Sequence, residues 1–418
     1  MSKVPVCLVG CGGMGSRHVT GFAALEKTGL SNVELVAVCD IREDNAKRAA
    51  DDAEKLLGRR PAVHTSMEAA IADPAVAAFD VVTEAWTHLN VALPALEAGK
   101  HVLCEKPLAL TVKSCKALIA AAERGGAVLA TAENYRRDPP ARLARAALEA
   151  GLIGHVHLMH MFHVGGDDRI IITPWRHMKD KGSIALDMGC HLTDIMQYHL
   201  GEIDSVSGKG FIAEPVRRRR EKPEQDLPSY WARLLEMPET VQPTGEDSLV
   251  ATYTMASGAL CQMSYIPSGP GEKWFSRTLH GREGSLSLPR DRTGGRLVLK
   301  RADGTFETDA IRALLPDFAL DEVTARLFSD TVSYDLPFAD SDSALMAIEI
   351  HDFADAILTG RKPEVDGHLG LTAVAAVLAA FESGMLGRPV SMAEMLDGTV
   401  SGYQDEIDRN LGLPDIAA

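Results

Sequence analysis

Aromatic residues make up only 5% of this 418-residue chain, and cysteine occurs seven times, an odd number, never as C-x-x-C. That scatter (Cys7, Cys11, Cys39, Cys104, Cys115, Cys190, Cys261) argues against a disulfide scaffold and a cysteine zinc ribbon. Several of these cysteines lie in apolar, strand-like runs, so reduced, buried thiols in a cytoplasmic protein are expected. Positive charge is also short: 43 Lys and Arg face 58 Asp and Glu, a net charge of −15. Nucleic acid and anionic membrane surfaces are therefore poor partners, since the average surface repels both. The one basic run, Arg217 to Arg220, is flanked by Glu214 and Glu221 and followed by Pro223, and reads as a solvated loop. The chain opens without a basic segment, apolar core and cleavage site, so no secretory signal is expected. No apolar run of about 18 residues suggests a membrane span, and no internal repeat or long low-complexity tract stands out.

What is present is ample apolar content, 46%, in a chain long enough for two domains. From residue 4 to about 132, short apolar runs (4–9, 33–40, 79–85, 101–106, 127–133) alternate with amphipathic helical segments (14–27, 42–57, 88–99, 111–124). This alternation predicts an α/β domain with a doubly wound parallel sheet over residues 1–132. Beyond residue 133 the pattern changes. A helix at 139–150 leads to the long strand "HVHLMHMFHV" (155–164), and further strands at 248–255, 259–265, 275–280 and 296–300 follow one another closely. They predict an α+β domain over 133–418 with a large, mainly antiparallel sheet, helices at 342–358 and 370–385, and a surface insertion at 213–245.

"VGCGGMGSRH" (9–18) carries Gly10, Gly12 and Gly15 as G-x-G-x-x-G. A strand precedes it, a helix opens near Met14, and Asp40 ends the next strand, which is the context of a dinucleotide cradle. Gly10 allows the tight turn, Gly12 lets a pyrophosphate approach the helix N-terminus beside Gly13 and Met14, and Gly15 lets helix pack on strand. Asp40, with Ile41 and Arg42 after it, would accept bonds from the adenosine ribose. A carboxylate there repels a 2′-phosphate, so NAD is favoured over NADP, with Arg42 as a partial offset.

"GKHVLCEKPLAL" (99–110), with Glu105, Lys106 and Pro107, and "WRHMKDKGSIALDMGCHLTD" (175–194), with Asp187, Gly189, His191 and Asp194, resemble signatures of the Gfo/Idh/MocA oxidoreductases. "ENYRR" (133–137), "EDSLVATYTMASGAL" (246–260) and "EIHDFADAILTGRKPEVDG" (349–367) are similar to members as well, so the resemblance spans nearly the whole chain. It implies an NAD-dependent enzyme that oxidises a ring hydroxyl of a sugar, inositol or glycoside, or reduces the ketone, and a homo-oligomer, dimer or tetramer. It also gives catalytic roles to Lys106, Asp187 and His191. The chemistry of these residue types agrees. Imidazole titrates nearest neutral pH and suits a base, Lys106 would stabilise a developing alkoxide and keep His191 neutral, and Asp187, four residues before His191, can orient the ring or a substrate hydroxyl.

Family members often carry Thr-Pro-x-x-x-His before the E-K-P strand; here Thr83 and His88 fit, but Glu84 replaces the proline. Thr83, Glu84, His88, Glu105, Lys106 and Pro107 are counted with the cofactor side, Glu84 in a local cap or pair or else in proton transfer. Tyr135, Arg136, His163, Trp175, Arg176 and Lys181 are substrate-pocket candidates, with core packing or interdomain pairing as their alternative. A cationic mouth at Arg176, Lys179 and Lys181 would suit an acidic or sulfonated sugar, with lysines simply exposed on a loop as the favoured alternative. Two-residue alternation puts His155, His157 and His163 on one face of their strand and His160 on the other. With no Cys or carboxylate to complete a zinc set, no metal is expected. Two other functions stay open: an NAD-retaining glycosidase that oxidises its sugar transiently, and a non-catalytic NAD-binding sensor.

Overall fold

The computed structural model describes residues 2–222 and 234–413. Its first sheet has six parallel strands, β1 (Val4–Val9), β2 (Val33–Cys39), β3 (Ala62–His64), β4 (Ala78–Val81), β5 (His101–Glu105) and β6 (Leu129–Ala132), in the order β3-β2-β1-β4-β5-β6. Five helices, α1 (Gly13–Lys27), α2 (Glu43–Leu57), α3 (Met67–Ala72), α4 (His88–Glu97) and α5 (Val112–Gly125), connect them. The strands are almost wholly apolar because both faces are covered; Leu8, Ala37, Phe79 and Val102 are fully buried. The strand order reverses between β1 and β4, which opens a crevice at the carboxyl ends of these strands, where such sheets bind ligands. β3, at three residues, is too short to leave a pattern in the sequence.

After α6 (Pro139–Glu149) the chain enters a nine-stranded sheet through β7 (Val156–Val164), and α7 (Ile184–Leu200) leads to β8 (Ile203–Phe211). A small ribbon, β9 (Arg217–Arg218) with β10 (Thr240–Val241), precedes β11 (Ser248–Met255), β12 (Leu260–Ile266), β13 (Trp274–Gly281), β14 (Gly284–Leu288), β15 (Val298–Arg301) and β16 (Gly304–Glu307). β7 lies at the centre, and its pairing with β12 is parallel while the other ladders are antiparallel. Alternation along β7 is as expected. Met159 and Met161 are buried on the inner face, which His163 shares, and His160 and Phe162 lie on the outer face with Trp274.

Two short helices, α8 (Thr308–Ala313) and α9 (Glu322–Leu327), precede α10 (Phe338–Thr359) and α11 (Gly367–Leu386). α10 returns to the first sheet and packs against α1 so closely that a Cβ on Gly21 would lie 2.8 Å from Met346 Cβ. α11 corrects an expectation: it is long and apolar enough, by length and composition, to cross a membrane. It is mostly buried, because it fills the space between the nine-stranded sheet and the first sheet; Val374 to Ala380 are fully enclosed. A last strand, β17 (Val390–Ser391), and two short helices, α12 (Met392–Asp397) and α13 (Asp405–Asn410), close the described chain.

The basic run is a second correction. Arg217 is fully buried and donates to Asp247 at 2.7 Å, while Arg218 and Arg220 pair with Asp168 and Asp167. Acids far away in sequence neutralise the run, which local flanking residues could not reveal. Residues 223–233 of the expected insertion lie outside the described residues. All seven cysteines are free and buried.

Candidate active site

The glycines at the crevice divide by what surrounds them. Gly10 has φ +93°, and a Cβ there would meet the Val82 backbone at 2.9 Å; one on Gly15 would meet the Gly10 carbonyl at 2.1 Å. Beside Gly12, by contrast, nothing lies within 4 Å of a Cβ position, and Gly12 as N-cap gives α1 no side-chain hydrogen bond. At the end of β2, Asp40 accepts the Cys11 N–H at 2.7 Å and the Arg42 N–H at 2.8 Å. Ile41 is exposed, and the Arg42 side chain lies 3.4 Å from Asp44. Crowding at Gly10 and Gly15, openness at Gly12 and a fixed carboxylate at Asp40 fit a dinucleotide whose pyrophosphate lies on α1.

β4 and β5 supply the next layer. His88 is buried and bridges two loops, with Nδ1 2.8 Å from the Pro107 carbonyl and Nε2 3.2 Å from that of Thr83. Thr83 takes the Thr87 hydroxyl at 2.8 Å. Glu84 is exposed and accepts the Trp86 indole N–H at 2.8 Å, a local pairing.

Lys106 follows β5, its peptide to Pro107 is cis, and its backbone N–H donates to the Glu105 carboxylate at 3.0 Å. Its Nζ reaches Asp187 Oδ1 at 2.7 Å, and Arg176 Nε reaches the other oxygen at 2.9 Å. Asp187 is presented by the first turn of α7, whose N-cap Ser183 accepts the Leu186 N–H. Burial opposes ionisation of Asp187, but Lys106 and Arg176 outweigh it and hold the carboxyl well below its usual range. Burial likewise acts against the Lys106 ammonium, and Asp187 and Glu105 more than offset it. The pair is charged, with two cations on one anion.

One turn on, His191 is not oriented by Asp187. Its Nδ1 lies 2.8 Å from both oxygens of Glu133, the first residue of "ENYRR", which has no expected role. The Tyr135 ring stacks flat on the imidazole, 4.1 Å between centroids and 3° between planes, and Arg292 lies 5.2 Å from the Tyr135 ring centre. Burial, then Lys106 and Arg292, lower the His191 pKa well below the ordinary value, so the ring is neutral. With a carboxylate on Nδ1 the proton sits there, and Nε2 is the lone-pair nitrogen.

The other candidates divide by what they touch. Trp175 and Arg176 sit together on a single turn, the guanidinium 4.3 Å from the ring centre. Lys181 Nζ lies 5.2 Å from the Trp86 ring centre, and Lys179 Nζ 4.4 Å from that of Tyr403. Arg136 is buried and bound through two nitrogens to Asp194, at 2.8 and 2.5 Å, an interior tie that turns it from a substrate pocket. His163 meets Tyr265 and Phe275 edge-on, and burial lowers its pKa to about 4.

Behind β5 lies a second buried histidine. His18 of α1 contacts Asp80 at 2.8 Å and Glu105 at 3.2 Å. Glu349 of α10 completes the group, and neither of its buried carboxyl oxygens has a hydrogen-bond partner. His18, Glu105 and Glu349 are the potential metal-binding group found among the described residues, their donor atoms within 4.8 Å of one another. Protons balance this charge: Asp80 and Glu105 outweigh burial and raise the His18 pKa well above its ordinary value, and burial raises that of Glu349.

Comparison with known proteins identifies the family and the fold. A family model described as "Oxidoreductase family, NAD-binding Rossmann fold" matches residues 4–133, and one for the "GFO/IDH/MocA C-terminal domain" matches residues 141–287. The chain is 29% identical over 305 residues to a levoglucosan dehydrogenase of Pseudarthrobacter phenanthrenivorans, covering 70% of this chain and 75% of the relative. It is 24% identical over 387 residues to the scyllo-inositol 2-dehydrogenase (NAD(+)) of Bacillus subtilis, covering 92% and 95%. A solved levoglucosan dehydrogenase in complex with NADH and levoglucosan shares the fold, with TM-score 0.72, 23% identity and coverage of 94% of this chain and 100% of that one.

Proposed function

Because the chain belongs to the Gfo/Idh/MocA family of NAD-dependent oxidoreductases, we propose that it oxidises a ring hydroxyl of a sugar, inositol or anhydrosugar, or reduces the corresponding ketone. The single observation that carries this reading is the pairing of a neutral, Glu133-anchored His191 with a charged Lys106 at the open end of the cofactor crevice. Bound NAD supplies the hydride acceptor. His191 Nε2 takes the hydroxyl proton, and the Lys106 ammonium, held by Asp187, stabilises the negative charge that grows on oxygen. Arg176 fixes Asp187 from the other side. Residues 1–132 serve as the cofactor domain and 133–418 as the substrate domain.

The likeness to levoglucosan and scyllo-inositol dehydrogenases supports an uncharged polyol or anhydrosugar as the substrate class. Lys181 faces Trp86, and Glu84 is engaged by the same residue, which favours neither an acidic sugar nor a glycosidase. The test is to mix protein and NAD with sugars, inositols, anhydrosugars and aryl glycosides, following NADH absorbance and aglycone together. Stoichiometric NADH with a polyol supports the reading. Aglycone without net NADH makes the protein a glycosidase, and NAD binding with neither makes it a sensor.

A homo-oligomer is proposed through the outer face of the nine-stranded sheet. Trp274 there is 51% exposed and stacks on Phe162 at 4.7 Å, with Val250 and Leu260 exposed on the same face. Sedimentation of wild type against Trp274→Glu checks it; a monomer in both removes the proposal.

A further inference from the structure

We propose that Glu133 is the terminal acceptor of the proton lost by the substrate hydroxyl, and that His191 only relays it. The inference rests on the polyol-oxidising reading of the site. Geometry supplies the path. Glu133 is 2% exposed, both of its oxygens lie 2.8 Å from His191 Nδ1, and Oε1 also accepts the Tyr135 N–H at 3.0 Å. The stacked Tyr135 ring keeps the imidazole in that plane. A proton arriving at Nε2 therefore makes an imidazolium whose other N–H already points at a carboxylate.

The surroundings decide where the proton stays. In the familiar serine-histidine-aspartate arrangement the carboxylate stays ionised and the histidine carries the charge. Here the balance is inverted. Burial raises the Glu133 carboxyl to about 7, against a backbone N–H from Tyr135 and the more distant Lys106 and Arg136, which favour the anion, while Glu105 adds to the rise. Burial, Lys106 and Arg292 hold His191 well below its ordinary value, against Asp187 and Glu105. With the ring the weaker base and the carboxylate the stronger, the neutral pair of imidazole and carboxylic acid is the stable product. The step balances: the hydroxyl O–H and carbinol C–H bonds break, the hydride and its electron pair go to NAD, the hydroxyl proton goes to Nε2, and the Nδ1 proton goes to Glu133. Ketone, NADH and a protonated Glu133 result, and the reverse direction starts from the protonated acid.

Glu133→Gln tests it, because the amide oxygen still accepts from Nδ1 but cannot take a proton. NADH formation is expected to fall about 10²- to 10⁴-fold in kcat with the KM for NAD nearly unchanged. The limb of the pH-rate profile near 7 should vanish, and Glu133→Asp should restore both in part. A second readout needs no cofactor: the His191 ring nitrogens, followed by NMR in the protein alone, should shift with an apparent pKa near 7 in wild type and not in Glu133→Gln. Near-wild-type kcat with an unchanged limb, or a His191 titration that survives Glu133→Gln, would overturn the proposal. If wild type makes no NADH from any polyol, the functional reading fails, and the ring titration still decides whether Glu133 takes the proton.

Discussion

Two histidines in this protein are buried beside carboxylates, and their surroundings drive them to opposite charge states. His18 on α1 meets Asp80 and Glu105, and its pKa is raised. His191 on α7 meets Glu133, and its pKa is lowered. Burial disfavours the imidazolium at both, so burial is not what separates them. The difference lies in the cations: Lys106 and Arg292 act on His191, whereas only acids are prominent around His18. One ring thus becomes a charged rivet between the cofactor helix and the strand that ends at Glu105, just before Lys106, and the other a neutral base. Placing a lysine on one side of β5 and none on the other sorts structure from chemistry within one short segment, Glu105-Lys106.

Removing the rivet should have the largest effect. His18→Gln leaves Asp80 and Glu105 buried without their cation and should cost about 3–5 kcal/mol of stability, read by chemical denaturation. The sign with pH follows from the raised folded pKa. Protonation of His18 contributes fully below the unfolded value of about 6.5 and is lost as pH rises through the higher folded value. The gap between wild type and His18→Gln should therefore narrow at alkaline pH; a gap that widens would mean that His18 is neutral in the fold.

Lys106→Ala removes the cation that separates the two rings. Turnover should drop about 10²- to 10³-fold with NAD affinity nearly intact by calorimetry, and His191 should titrate at a higher pH than in wild type. A fully active variant would remove Lys106 from the chemistry. Arg292→Gln acts on the same ring from further away and should raise the His191 titration by less than about one pH unit, or ~1.4 kcal/mol. A fall would reverse the assigned influence. Glu349→Gln is the mildest. If that buried carboxyl carries a proton at neutral pH, an amide replaces it at a cost below about 1 kcal/mol, and a loss several times larger would show that the anion is needed.

The residues that the sequence made legible are those whose role depends on local pattern. Gly10, Gly12 and Gly15 announce a turn, a cradle and a close contact, and each of the three surroundings is as that pattern requires. Lys106, Asp187 and His191 stood out because motifs carry them, and the Lys106–Asp187 contact joins them across 81 residues. What the pattern could not show is partnership at a distance. Glu133 reaches His191 across 58 residues, and His18 reaches Asp80 across 62. Arg292 arrives from the second half of the chain with no motif of its own, and Glu349, although it opens the run 349–367, carries no expected role there. Of the two roles expected for Asp187, orienting the ring falls away, since Lys106 and Arg176 hold its carboxylate and two cations outcompete a neutral imidazole for it. Arg217 was misread for the same reason: its partner Asp247 lies outside the window in which a charge run is judged.

The most direct test of the central contrast is the protonation of these two rings in one sample. Nitrogen-15 NMR of histidine-labelled protein near pH 7.5, about one unit above the ordinary imidazole value, with His18→Gln and His191→Gln for assignment, reads both at once. The account predicts His18 protonated on both nitrogens and His191 neutral with its proton on Nδ1. A charged His191, or a neutral His18, would contradict it.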